Sequence, residues 1–172
     1  MSDLIEALQS RRRSVCLAGA LCCVLLLAFA LYSEFYMGLI PCPLCIFQRV
    51  GIAALGVALL LAAVPPAAWH GARRVAALLV AAAALGTVAV AARHLYIQSL
   101  PPGSVPACGA SLDYMLDVFP LTDVLRKVLT GSGECAKLQW SLMGVSMPGW
   151  VLLWAVALGG AGAGASWPLR RR

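Results

Sequence analysis

Long apolar runs separated by short polar stretches set the pattern of this chain. Four segments, residues 14–33, 46–64, 75–92 and 149–165, approach the roughly 20 apolar residues that a helix needs to cross the hydrocarbon core of a bilayer. They are rich in Ala, Leu and Val and do not alternate polar with apolar positions, which argues against a transmembrane β-barrel, whose strands alternate with period two. The pattern predicts an all-α membrane protein, a single membrane domain over residues 1–172. Four transmembrane helices form a bundle, with two loops, at about 34–45 and 94–147, on one side. In the second loop Leu112, Met115, Leu116 and Phe119 recur at helical spacing, as do Leu121, Val124, Leu125 and Val128 after Pro120. That loop is therefore expected to carry a short interfacial helix whose apolar face rests on membrane lipid.

Composition strengthens this reading, because 62% of the 172 residues are hydrophobic and 12% are charged, too apolar for an ordinary soluble domain. Charge then supplies an orientation. Arg11, Arg12 and Arg13 precede the first span, Arg73 and Arg74 lie between the second and third, and Arg170, Arg171 and Arg172 end the chain. The other side holds Arg49, Arg93, Arg126, Lys127 and Lys137 interspersed with Glu34, Asp113, Asp117, Asp123 and Glu134. Basic residues near short loops are retained in the cytoplasm, so both termini are expected there and the two loops outside. The net charge of +6 lies at helix ends, with no basic stripe and interleaved aromatics, and nucleic acid is not an expected partner. Tyr32, Phe35, Tyr36, Trp140 and Trp150 gather near one interface and Trp69 and Trp167 near the other, as anchors do. A cleaved signal peptide ending near Ala28-Phe29-Ala30 is the alternative for the first segment. The run is longer than a signal core and continues toward Tyr32, so it is read as a retained span.

The seven cysteines sort by location. Cys16, Cys22 and Cys23 fall inside the first span, where a thiol packs as a small apolar side chain. Cys42, Cys45, Cys108 and Cys135 fall in the outer loops, and an even number in an oxidising compartment points to disulfides. Two static bonds would be the plain outcome. Against it stands Cys42-Pro43-Leu44-Cys45, a C-x-x-C pair at the start of a helix, where the backbone N–H groups and the dipole stabilise a thiolate. Pro41 and Pro43 suit a helix N-terminus. A four-cysteine zinc site is the competing use, but such sites show two close-spaced pairs, whereas Cys108 and Cys135 are far apart and a Pro-rich arm precedes the former. No metal is expected. Arg49 follows Cys45 by one helical turn and shares its face, and His94 follows Arg93 at the end of the third span. A channel or transporter would need polar groups along the spans, which offer almost none.

The chain resembles the DsbB family of membrane quinone reductases that reoxidise the periplasmic dithiol oxidase DsbA. The resemblance rests on the four spans, on Cys42-Pro43-Leu44-Cys45 followed by Arg49, and on Gly131-Ser132-Gly133-Glu134-Cys135-Ala136 leading through Gln139-Trp140 to Met147-Pro148-Gly149-Trp150. Gln48 stands where an acidic neighbour of the arginine can occur. The resemblance implies a thiol:quinone oxidoreductase in the bacterial inner membrane, with periplasmic redox loops. Cys108 would form the mixed disulfide with a DsbA-like partner, Cys135 would be its disulfide mate, and Cys42 would exchange with Cys135. Cys45 would then contact ubiquinone or menaquinone, with Arg49 and His94 shaping that site and the quinone pool linking it to the respiratory chain. A DsbA-like donor near about −120 mV requires a strong acceptor, and thiolate exchange itself needs neither metal nor carboxylate base.

Overall fold

The computed structural model describes residues 11–66, 68–101, 117–118, 120, 122–123, 133–138 and 140–168. Four long helices dominate: α1 (Arg12–Phe35), α2 (Pro43–Ala63), α3 (His70–Gln98) and, after a short α4 (Gly133–Ala136) and a two-stranded hairpin, α5 (Met147–Ser166). Each of the long four has the length and apolar character to cross a membrane. The hairpin pairs β1 (Ser141–Leu142) with β2 (Val145–Ser146) in antiparallel register. Its turn residues Met143 and Gly144 both have positive φ, as a tight primed turn requires.

The four-helix membrane bundle expected from the apolar pattern is what the chain forms. The expected interfacial helix over residues 112–128 lies largely outside the described residues. Helix ends differ from the apolar runs, for physical reasons. Proline at the first position suits a helix start, so α2 begins at Pro43, with the Cys42 sulfur accepting a hydrogen bond from the Cys45 N–H at 3.4 Å as its cap. The helix α3 continues past the apolar run 75–92 through Arg93, His94 and on to Gln98, since nothing there breaks a helix before Pro101. The hydrophobic run ended where polarity began; the helix ends where backbone geometry forces it to.

Within lipid, helices associate through close packing of small residues. Gly159 of α5 lies against Ala84 of α3 so closely that a Cβ on it would meet the Ala84 Cβ at 2.3 Å. Gly51 of α2 similarly faces Thr87 of α3, where a Cβ would stand 2.5 Å from Oγ1. Cys16 and Cys23 are buried in the core between α1, α2, α3 and α5, Cys16 lying 3.7 Å from the Ser166 hydroxyl, as apolar packing residues. The outward faces carry Leu21, Leu25, Val57, Leu61, Leu78 and Leu85, all exposed and suited to lipid.

At one end of the bundle Arg12 is buried and its guanidinium donates to the carbonyls of Ala62 and Pro65, closing the end of α2. Arg73 reaches the Ala165 carbonyl of α5 at that same end. The opposite end gathers the start of α2, the end of α3, α4 and the hairpin.

Candidate functional site

The close approach of α2 and α3 at Gly51 and Thr87 sets Gln48 beside His94, a turn or two further toward the loop end of the bundle. Gln48 Nε2 lies 2.9 Å from His94 Nδ1, both buried. The other ring nitrogen, Nε2, is 3.1 Å from the Cys135 carbonyl and 3.8 Å from the Cys42 sulfur. A carbonyl can only accept, so Nε2 carries the proton; the Nδ1 of the neutral ring then accepts, and Gln48 must present its amide N–H. One histidine thus ties α3 to α2 and to α4.

Around this anchor sit three of the four cysteines singled out from sequence. Cys42, Leu44, Ile97 and Cys135 form a buried cluster, with Cys45, Phe47, Val90 and Ala136 packed against it. The Cys42 thiol donates to the Cys45 sulfur at 3.1 Å, and Cys135 is buried in the same cluster. The neighbouring thiols, Cys135 foremost and then Cys45, together with burial, push its pKa above the ordinary thiol range, since a thiolate there would be desolvated and set beside further sulfurs. Cys45 accepts the hydrogen bond and lies in the first turn of α2, where the helix N-terminus favours negative charge. Cys108 lies outside the described residues.

Beside Cys45 opens a cavity of about 560 Å³. Leu26, Phe29, Ala30, Trp140, Leu142, Trp150, Val151 and Trp154 provide apolar walls, and Cys42, Cys45, Gln48, Arg49 and His94 provide a polar patch. Phe29 and Trp154 are also exposed on the outer face of the helices, so the cavity reaches the lipid-facing surface. Trp140 meets Phe29 edge-on with ring centroids 5.7 Å apart, which places a residue read as an interfacial anchor in the cavity wall.

Arg49 lines the cavity as its spacing from Cys45 suggested, but its guanidinium is held by α1, pairing with the Glu34 carboxylate and donating to the Ala30 carbonyl at 2.9 Å. The structure thus brings Cys42, Cys45, Cys135, Arg49 and His94 to one place. Sequence reasoning missed Gln48 as a site residue and the hairpin as a wall. The available signals were the spacing of three from Cys45, which puts Gln48 on the same helical face, and Gly144 as a turn former.

An apolar cavity open to the lipid-facing surface, with hydrogen-bond donors and a sulfur at one end, suits a largely apolar small molecule with a polar head. Comparisons with known proteins point to thiol–disulfide chemistry. A family model described as Disulfide bond formation protein DsbB matches residues 12–164. The chain is 49% identical over 126 residues to Disulfide bond formation protein B of Acinetobacter baylyi, covering 73% of this chain and 74% of that one. It is 48% identical over 141 residues to the protein of that name from Chromohalobacter salexigens, covering 82% of each. Against that of Methylococcus capsulatus the identity is 47% over 147 residues, covering 86% of this chain and 89% of the relative.

Proposed function

The chain belongs to the DsbB family of disulfide bond formation proteins, and from this we propose that it oxidises a DsbA-like periplasmic dithiol protein and delivers the electrons to a membrane quinone, ubiquinone or menaquinone. The observation that carries the reading is the position of Cys42, hydrogen-bonded to Cys45 and buried in one cluster with Cys135 at the rim of an apolar cavity. Positive charge at the opposite end of the bundle supports an inner-membrane orientation with both termini cytoplasmic and the sulfur end periplasmic.

In this reading the partner's first thiolate attacks Cys108 of a Cys108–Cys135 disulfide, forming a mixed disulfide and releasing Cys135 as thiolate. The Cys135 sulfur then attacks Cys42 of a Cys42–Cys45 disulfide. A Cys42–Cys135 bond forms, the Cys42–Cys45 bond breaks, and Cys45 leaves carrying the electron pair. The partner's second thiolate attacks its own mixed disulfide and departs oxidised, leaving Cys108 as thiolate. Cys108 resolves the Cys42–Cys135 bond by attacking Cys135, which restores the Cys108–Cys135 disulfide and leaves Cys42 and Cys45 holding two electrons. His94 holds the Cys135 carbonyl, and its Nε2–H, 3.8 Å from the Cys42 sulfur, can turn a hydrogen bond toward that sulfur as it departs. Cys45, Arg49 and His94 would hold the quinone headgroup, and Phe29, Trp140 and Trp154 its apolar flank. The quinone supplies the two-electron, two-proton acceptor that ends the sequence.

The test is anaerobic. Detergent-purified protein is mixed with a reduced DsbA-like dithiol and a soluble quinone analogue, and quinone absorbance is followed. Turnover is expected in wild type and is expected to vanish in each of Cys42→Ser, Cys45→Ser, Cys108→Ser and Cys135→Ser. A folded wild type without turnover, or turnover indifferent to Cys45, contradicts the proposal.

A further inference from the structure

The side chains crowded at the start of α2 also form a set of metal ligands. Cys42, Cys45 and His94 bring two sulfurs and a ring nitrogen within 4.8 Å of one another. Zinc binds thiolate at about 2.3 Å and imidazole at about 2.0–2.1 Å in a tetrahedron, so neighbouring ligand atoms stand about 3.5–3.8 Å apart. The observed separations of 3.1 Å between the Cys42 and Cys45 sulfurs and 3.8 Å from Cys42 to His94 Nε2 bracket that edge. Gln48, at 2.9 Å from His94 Nδ1, occupies the place of the outer partner that orients a metal-bound histidine.

We propose that the dithiol form of this centre binds Zn²⁺ through Cys42, Cys45 and His94, and that the bound ion holds the centre reduced and arrests exchange. Binding breaks two S–H bonds, forms two Zn–S bonds and one Zn–N bond, and releases two protons to water, with a water completing the tetrahedron; no electron moves. His94 turns its Nε2 lone pair to the ion and gives up the Cys135 carbonyl, while Nδ1 takes the proton and donates to Gln48 after the amide turns over. A disulfide between Cys42 and Cys45 removes both thiolates, so the site exists only in the reduced protein. Four cysteines at their sequence spacing do not suggest this set, because the histidine that completes it comes from α3.

Binding stands on geometry alone, whereas arrest rests on the relay proposed above. The experiment titrates Co²⁺, as a spectroscopic stand-in for zinc, into anaerobically reduced and into oxidised wild-type protein, and then displaces it with Zn²⁺. The visible bands of tetrahedral thiolate-bound cobalt are expected in the reduced protein and absent from the oxidised one, which keeps its membrane-embedded Cys16, Cys22 and Cys23. Gln48→Leu is expected to weaken binding about ten- to hundredfold, His94→Ala at least as much, and Cys22→Ser and Cys23→Ser not at all. Absent bands in folded reduced protein, bands that survive oxidation, or bands that follow Cys22 or Cys23 overturn the site. Zinc that binds without slowing turnover overturns the arrest. Metal-free turnover tests the relay separately, so failure of one claim is distinguishable from failure of the other.

Discussion

Replacing Gln48 by leucine removes the partner of the His94 Nδ1 atom, a buried contact of 2.9 Å. The ring is then free to exchange tautomers, and its hydrogen bond to the Cys135 carbonyl, 3.1 Å in length, is lost in the tautomer with the proton on Nδ1. One such neutral hydrogen bond contributes about 0.5–1.5 kcal/mol, which corresponds to a two- to twelvefold slower transfer from Cys135 to Cys42 if the bond positions the attacking sulfur. Gln48→Glu distinguishes positioning from simple damage. A glutamate accepts from Nδ1–H and favours the imidazolium, which still donates to Cys135 from Nε2, so this variant should keep most of the wild-type rate. The assay is rapid mixing of reduced partner with oxidised protein, followed by acid quench and thiol counting, with thermal unfolding measured on each variant. Wild-type exchange in a folded Gln48→Leu variant, or equal slowing in both variants, would refute the argument.

Arg49→Ala should raise the quinone KM by about tenfold or more, the loss expected for one hydrogen bond from a charged donor. Its effect on unfolding should be within about 1 kcal/mol, because Arg49 and Glu34 are 22% and 29% exposed and such pairs contribute little; steady-state kinetics and a thermal melt read the two effects. Gly159→Ala should destabilise the bundle by about 1–3 kcal/mol, since the new methyl meets the Ala84 Cβ, while Gly86→Ala, with open space around it, should not; detergent melts compare them. The raised Cys42 pKa makes the folded reduced protein hold a proton that the unfolded chain releases above about pH 8.5. The stability contributed by that proton is complete below this pH and declines above it, so the reduced protein should lose melting temperature at alkaline pH relative to the disulfide form. A difference independent of pH would refute the assignment.

Much of this architecture was legible because lipid imposes a simple rule, that each span needs a long apolar run. The C-x-x-C pair and Arg49 were legible because they lie on one stretch of chain, where spacing becomes geometry directly. The contact between Gln48 and His94 was not, as it joins two helices whose relative rotation depends on Gly51 meeting Thr87. The Gly160-Ala161-Gly162-Ala163-Gly164-Ala165 stretch illustrates the same limit. Such glycine content suits close helix packing, yet Gly160 and Gly164 face open space, while Gly162 and the preceding Gly159 make the contacts. Glycine content reveals that helices can approach; only the fold selects which glycines do.

The central claim is that Cys42 is the sulfur through which electrons pass from Cys135 to Cys45. Fully oxidised protein, kept free of quinone, is mixed with a limiting amount of reduced partner, quenched with acid, and its disulfides are mapped by mass spectrometry after alkylation. The account predicts a transient Cys42–Cys135 disulfide, formed as Cys45 becomes alkylatable. A Cys45–Cys135 bond in its place, or an intact Cys42–Cys45 pair while the partner is fully oxidised, would contradict it.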